Sequence, residues 1–204
     1  MSPGGVLEEL AIHAREHPED GAVLARFRAL LEDTTAPFSR EQFRPGHLTC
    51  SACVLGGGGA HVLLLHHVRL DRWLQPGGHV EPGDGTPLAG ALRELREESG
   101  LSVLAPLAGS GGSALVDLDI HEIPARGAEP DHLHFDLRYA FAVRGNPSLV
   151  RSEESTALRW ISVAHLGELT DEESVTRLVA RARARAAALE DGVASRARQG
   201  GGGS

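Results

Sequence analysis

Three glutamates, Glu94, Glu97 and Glu98, lie close together near the end of a predicted helix over residues 87–99. At about 100° per residue, the apolar residues of this helix fall on one side and the glutamates centre roughly opposite. Glu94 and Glu98 are one turn apart and repel each other unless a cation offsets their charge. Carboxylate oxygens are the ligands that Mg²⁺ and Mn²⁺ prefer, so the pattern indicates a divalent-cation site. An acidic helix face that is simply exposed to solvent has the same spacing. The residues upstream distinguish a cation site from such a face.

The helix is part of a longer motif that starts at Gly78 and continues through Asp84 to the run Arg93-Glu94-Leu95-Arg96-Glu97-Glu98-Ser99-Gly100-Leu101. This motif resembles the Nudix box of the MutT-like Nudix hydrolases, G-x5-E-x7-R-E-U-x-E-E-x-G-U, where U is a bulky apolar residue. It departs from that pattern twice: Asp84 replaces the early glutamate, and one extra residue within 85–92 precedes Arg93. The acidic face from Arg93 onward is therefore expected to be intact, and the role of Asp84 is left open.

The resemblance implies an α/β (α+β) fold, a Nudix-type α/β/α sandwich with a mixed sheet and a loop-helix-loop metal site. It also implies hydrolysis of a diphosphate linkage in a nucleoside diphosphate joined to another group, so the expected partner is a small nucleotide derivative. By analogy, Glu94, Glu97, Glu98 and the backbone carbonyl of Gly78 would hold Mg²⁺ or Mn²⁺. Arg93 is expected to orient a glutamate rather than to contact the substrate.

The general base is expected on a later loop, as in many members of the resembled family. Glu153 and Glu154, just before a predicted strand over residues 158–163, are the candidates, and Glu81 beside the site is the reserve. Glu153 and Glu154 can equally be interpreted as solvated loop charges. No Ser-His-Asp or Cys-His set stands out as a nucleophile, which favours direct attack of water on phosphorus.

Residues 132–143 alternate strictly and predict a strand with one apolar face. The apolar positions are Leu133, Phe135, Leu137, Tyr139, Phe141 and Val143. The opposite face carries His132, His134, Asp136 and Arg138, which are expected to line a substrate pocket or to face solvent. The two histidines and Asp136 also have metal-ligand spacing, but a zinc site needs a further ligand that the sequence does not locate. Substrate binding is therefore the favoured interpretation.

The composition excludes several classes of protein. The chain has 204 residues, 20 basic residues that are all arginine, 28 acidic residues and a net charge of −8, so nonspecific nucleic-acid binding is not expected. Cys50 and Cys53 would face opposite sides of a strand and are interpreted as plain buried thiols. No signal peptide or membrane span is visible, which predicts a cytoplasmic protein without a membrane partner. A homodimer is one expected assembly.

The predicted organisation has four parts: a helical hairpin over residues 1–45, a Nudix domain over 46–170, a packed helix over 171–191 and a flexible tail over 192–204. Within the domain, strands are predicted over residues 48–55 and 61–68, and two more short strands within 101–118. Thr170 and Glu173 form a capping box ahead of the last helix.

Two other functions compete with a hydrolase. A noncatalytic Nudix domain, acting as a nucleotide-sensing or interaction module, would show lost glutamates in the box, and none is lost here. An isoprenoid isomerase on the same fold requires a catalytic cysteine and glutamate in another setting, which Cys50 and Cys53 do not obviously supply. The box reads only the diphosphate, so nucleoside triphosphates, damaged nucleotides, nucleotide sugars and dinucleotide cofactors all remain open as substrates.

Overall fold

The computed structural model of the protein describes residues 2–68, 70–102, 104–153 and 155–200. The expected helical hairpin is present as α1 (Pro3–Glu16) and α2 (Gly21–Asp33), joined by a short 3-10 turn. Its apolar residues, such as Leu10 and Phe27, are fully buried against the sheet that follows. The hairpin is therefore part of the hydrophobic core and not a separate unit.

The described residues form one mixed sheet of eight strands. The strands are β1 (Gly46–Gly56), β2 (His61–His67), β3 (Arg72–Leu74), β4 (Gly77–His79), β5 (Ala105–Pro106), β6 (Leu115–Ile123), β7 (His132–Ala142) and β8 (Ser155–Ser162). The main order is β3-β2-β1-β7-β5, with β4 beside β1, β6 beside β7 and β8 beside β2. β1 and β7 are parallel, and the other pairs are antiparallel.

Helices cover both faces of the sheet, as the sequence predicts. The remaining helices are α3 (Pro87–Ser99), α4 (Leu166–Leu169) and α5 (Glu173–Gly200). One hydrophobic layer joins α3 and the hairpin to the face that includes Cys50 of β1. The other joins α5 to the face that includes Cys53. Both thiols are free and buried on opposite faces, which confirms their interpretation.

Four elements, β3, β4, β6 and α5, differ from the sequence-based expectations. The short strands β3 and β4 are not predicted, because three residues carry too little periodicity. The second strand expected within 101–118 is β6, which continues to Ile123, since its polar residues pair with β7 instead of forming a loop. The flexible tail predicted over 192–204 is also different, because α5 continues through its first part to Gly200.

The arginine- and alanine-rich sequence explains the length of α5. Alanine and arginine favour helix strongly, and the glycine at position 192 costs only about 1 kcal/mol. Residues 201–204 lie outside the described residues. At the start of α5, the Thr170 hydroxyl accepts a hydrogen bond from the backbone N–H of Glu172 at 3.2 Å, one residue before the predicted partner. Nowhere in the described part of the chain is a helix long and apolar enough to cross a membrane.

Candidate active site

Local sequence signals position α3 as predicted. The Thr86 hydroxyl accepts a hydrogen bond from the N–H of Ala89 at 3.2 Å, and Pro87 occupies the first turn, where a missing N–H has no cost. Gly100 ends the helix with a positive φ of 71°, a conformation that glycine adopts without strain. Ala91 and Leu95 are fully buried against the sheet. The orientation of α3 follows from this packing.

Arg93 connects the acidic groups around α3. Its Nε and Nη2 donate to the two carboxylate oxygens of Asp84 at 2.9 and 3.1 Å. Its Nη1 donates to Glu94 at 3.0 Å and to Glu97 at 3.2 Å. Nη2 also donates to the backbone carbonyl of His79 at 2.8 Å. Arg93 thus holds two predicted metal ligands and anchors them to the strand β4.

The question about Asp84 is resolved by these contacts. The hydrogen bonds from Arg93 lower the pKa of Asp84, which also accepts the backbone N–H of Glu81 at 2.7 Å. Asp84 and Arg93 are paired even though one extra residue lies between Asp84 and Arg93 compared with the box pattern. Asp84 therefore supports Arg93 from the loop.

Glu94 and Glu98 both lie over β4. The backbone N–H of Gly77 donates to Glu98 at 2.9 Å, and Glu98 is only 4% exposed. A Cβ atom on Gly78 would lie 2.5 Å from a carboxylate oxygen of Glu94, so a side chain at this position would require the Glu94 carboxylate to move. The two carboxylates therefore meet adjacent residues of one strand.

This donor set fits a hard divalent cation. The groups that lie close together here are the carboxylates of Glu94 and Glu98, both beside the backbone of β4, and that of Glu98 is almost completely buried. A buried carboxylate requires compensating hydrogen bonds or a cation. Oxygen donors with net negative charge suit Mg²⁺ or Mn²⁺ better than softer metals.

The three candidates for the general base lie in different surroundings. Glu81 is exposed, and its carboxylate lies 4.0 Å from Nε of Arg93. Glu153 is exposed in the turn before β8. The loop ahead of it meets the end of α3, where the N–H of Val150 donates to the carbonyl of Ser99 at 2.9 Å. Glu154 lies outside the described residues.

The apolar face of β7 is buried as predicted, but the opposite face is not a pocket wall or a solvent face at Asp136 and Arg138. Asp136 accepts hydrogen bonds from the hydroxyls of Thr49 at 3.1 Å and Ser51 at 2.6 Å, and from Nε of Arg138 at 2.9 Å. Arg138 is only 3% exposed. The expectation of an accessible Arg138 is therefore wrong.

The reason is that β6 lies beside this part of β7 in the sheet and α5 covers its polar face. Arg138 donates to Asp117 at 3.4 Å, to Asp119 at 3.0 Å and to the carbonyl of Ser174 on α5 at 3.0 Å. The aspartates belong to β6, whose polar residues pair with those of β7. In the sequence alone, a strand face whose charged residues are buried against opposite charges has the same pattern as a polar face exposed to solvent.

His132 and His134 belong to a cluster of five imidazoles that the sequence analysis missed. The histidine cluster consists of His47, His79, His121, His132 and His134. Ring centroids lie 4.8 Å apart for His47 and His134, 5.0 Å for His47 and His132, and 5.4 Å for His121 and His134. His134 on β7 is the pairing partner of His47 on the neighbouring strand β1 and of His121 on β6, the neighbour on the other side. Burial lowers the pKa of His47 to about 4 and that of His134 to about 2, so both are neutral at pH 7.

The sequence profile of the NUDIX domain family matches residues 45–182. The chain belongs to the NUDIX domain family. This match confirms both the resemblance of the box and the enzyme class that it implies, a Nudix pyrophosphohydrolase.

Many solved structures share the fold, among them an Ap4A hydrolase and a dihydroneopterin triphosphate pyrophosphohydrolase. A binary complex of a Caenorhabditis elegans Ap4A hydrolase has 17% identity and a TM-score of 0.52, over 71% of this chain and 98% of that chain. The Escherichia coli dihydroneopterin triphosphate pyrophosphohydrolase has 22% identity and a TM-score of 0.53, over 67% of this chain and 93% of that chain. At these identities the likeness concerns the fold alone. No curated protein sequence matches the chain significantly.

Proposed function

We propose that this protein is a metal-dependent hydrolase that cleaves a diphosphate linkage in a nucleoside diphosphate joined to another group. The observation that carries the proposal is the convergence of Glu94 and Glu98 on β4 with Arg93 between the acidic groups. Both similar structures are named for enzymes whose substrates contain phosphoanhydride bonds. The same class of substrate is proposed here, without a choice of nucleotide.

Four groups are proposed to hold Mg²⁺ or Mn²⁺: the carboxylates of Glu94, Glu97 and Glu98 and the backbone carbonyl of Gly78. A divalent cation bound there supplies charge neutralisation of the diphosphate and activation of water. Glu98 contributes a carboxylate that Gly77 already fixes through its N–H. Glu97 is the exposed member of the set and is held by Arg93.

Arg93 is proposed as a positioning residue. Its guanidinium is occupied by Asp84, Glu94, Glu97 and the carbonyl of His79, so its role is to orient ligands and not to bind the substrate. Ligand carboxylates in metal sites require such support to keep their geometry.

The base that removes a proton from water is proposed to be an exposed carboxylate at the edge of the site. Glu153 stays a principal candidate, because the loop ahead of it contacts the end of α3 at Ser99. Glu154, outside the described residues, stays a candidate on its sequence position alone. Glu81 stays the reserve, beside Arg93. Replacing each by glutamine and comparing the pH dependence of turnover identifies the base.

The test of the proposal compares Glu98→Gln with a matched control, Glu168→Gln, which makes the same chemical change at an exposed residue of α4. Wild-type protein is incubated with a nucleotide panel and Mg²⁺ or Mn²⁺, and the products are identified by mass. We expect Glu98→Gln to lower turnover by at least about 100-fold on the best substrate, because it removes a ligand charge, and Glu168→Gln to be unchanged. Full activity of Glu98→Gln would refute the metal assignment. Nucleotide binding by the wild type without any hydrolysis would favour the noncatalytic module.

A further inference from the structure

Three members of the histidine cluster have the geometry of a metal site. One ring nitrogen from each of His47, His132 and His134 lies within 4.8 Å of the corresponding nitrogens of the other two. His47 on β1 is the pairing partner of His134 on β7, and His132 is two residues earlier on the same face of β7. The sheet itself therefore brings three imidazoles together.

Hydrogen bonds fix which nitrogen of two of these rings is available. Nδ1 of His47 lies 3.1 Å from the carbonyl of Gln42, and Nδ1 of His132 lies 2.9 Å from the carbonyl of Pro130. A carbonyl can only accept, so each Nδ1 carries the proton and each Nε2 keeps a lone pair. Ligating histidines commonly donate their other N–H to a backbone carbonyl in this way.

One of these lone pairs is buried without a partner. Nε2 of His47 makes no hydrogen bond with any described residue, and His47 is only 1% exposed. A buried polar atom without a partner destabilises the folded state, and such atoms are uncommon in native proteins. A bond from this nitrogen to a metal ion would satisfy it.

We propose that His47, His132 and His134 bind a transition-metal cation of the Zn²⁺ type. Imidazole nitrogen suits zinc and its neighbours, whereas Mg²⁺ prefers oxygen, so this ion differs from the one at the acidic face of α3. Asp136 is not a ligand, because its oxygens accept from Thr49, Ser51 and Arg138. Three protein ligands leave a fourth position for water or a further group.

His79 is the nearest candidate for that fourth position. Its ring centroid lies 5.1 Å from that of His47 and 5.2 Å from that of His134. On β4, successive residues face opposite sides of the sheet: Gly78 meets Glu94, and His79 meets the histidine cluster. The proposed zinc site therefore shares a strand with the acidic site but lies on the other face, and it does not depend on the hydrolase proposal.

The test uses the full chain after removal of metals with a chelator. Zn²⁺ is titrated in competition with a chromogenic chelator, with Mg²⁺ in excess so that carboxylates do not contribute. We expect one Zn²⁺ per wild-type chain, and an affinity at least about 100-fold lower for His134→Asn, since even the groups that support a ligand contribute 10- to 100-fold. The matched control is His165→Asn, at an exposed histidine outside the cluster, and it should bind like the wild type.

Two further measurements make each outcome decisive. Glu98→Gln should keep its zinc, and loss of zinc in that variant would assign the ion to the acidic face and overturn the proposal. If His134→Asn fails to fold, His132→Asn replaces it, and imidazole ¹⁵N resonances of the wild type report ligation directly by shifts at these three rings. No bound Zn²⁺ in the wild type, or equal affinity in a folded His134→Asn, would likewise overturn the proposal.

Discussion

Two arginines of this chain, Arg93 and Arg138, each hold several carboxylates, but in different surroundings. Arg93 is half-buried at the edge of the acidic face, where it binds Asp84 with both arms of the guanidinium. Arg138 is buried, and burial alone would lower its pKa, but three neighbouring aspartates raise it. The first arginine is the one proposed to position the metal ligands, and the second lies in the interior among aspartates.

Arg93→Lys tests the positioning role. Lysine keeps the charge but cannot form the planar pairing with Asp84 while also bonding Glu94 and Glu97. We expect kcat to fall by about 10- to 100-fold, with a higher Mg²⁺ concentration needed for half-maximal activity and a nearly unchanged KM. Arg96→Lys, at an exposed position of the same helix, is the control. A variant with normal kcat and normal Mg²⁺ dependence would show that Arg93 does not position the ligands.

At the scale of elements, α3 was predictable to its ends, and the sheet was predictable only in part. Thr86-Pro87 and Gly100 are local signals, and the apolar stripe has a helical period. The pairing of His47 with His134 depends on a register between strands far apart in sequence, which no local pattern encodes. The complete acidic face was therefore predictable from the box, and the histidine cluster was not.

The charged layer between β6, β7 and α5 shows why a polar strand face was misread. Asp117 is fully buried, yet it accepts hydrogen bonds from Arg177 at 2.9 Å and from Arg181 at 2.7 Å, both on α5. Alternation of polar and apolar residues predicts which side chains share a face, but it does not show what covers that face. Here the cover is a helix whose arginines match the aspartates of the strand.

Arg138→Ala tests this layer. The substitution leaves Asp117 and Asp136 buried without their shared guanidinium, and we expect the free energy of unfolding to fall by about 3–5 kcal/mol. Urea unfolding followed by circular dichroism measures the change, with Arg144→Ala at an exposed position as the control. A variant as stable as the wild type would contradict the structural role of Arg138 in this layer.

At the scale of the whole molecule, α5 ties the amino-terminal hairpin to the sheet. Arg181 donates to Asp20 at 2.7 and 2.8 Å and to Asp117 at 2.7 Å, so one side chain joins the hairpin to β6. Arg185 donates to Glu16 of α1 at 2.6 Å. The hairpin also reaches the core directly, since the Tyr139 hydroxyl donates to Glu9 at 2.7 Å.

Acid stability tests this connection. Burial alone would raise the pKa of Asp20, but hydrogen bonds from Arg181 and His13 lower it to about 2, below the value of about 3.9 for an unfolded chain. The stabilisation by Asp20 is therefore complete above about pH 4 and is lost as the pH falls towards 2. We expect Asp20→Asn to be less stable than wild type at pH 5 and to lose less stability between pH 4 and 2.

Urea unfolding at a series of pH values measures this difference. Asp33→Asn, at an exposed residue of the same hairpin, is the control and should follow the wild type. Parallel curves for Asp20→Asn and wild type between pH 4 and 2 would contradict the assignment.

The parallel pairing of β1 with β7 has a consequence for the order of assembly. Thr49 and Asp136, which it joins, are 87 positions apart, so this contact closes a long loop and forms slowly. The contacts of α3 with β4 and β1 need only the chain up to about Gly100. During synthesis, the residues of the acidic face therefore emerge from the ribosome before those of β7. The three imidazoles meet only after β7 has emerged, so zinc uptake would follow completion of the sheet and could serve as a kinetic marker for it.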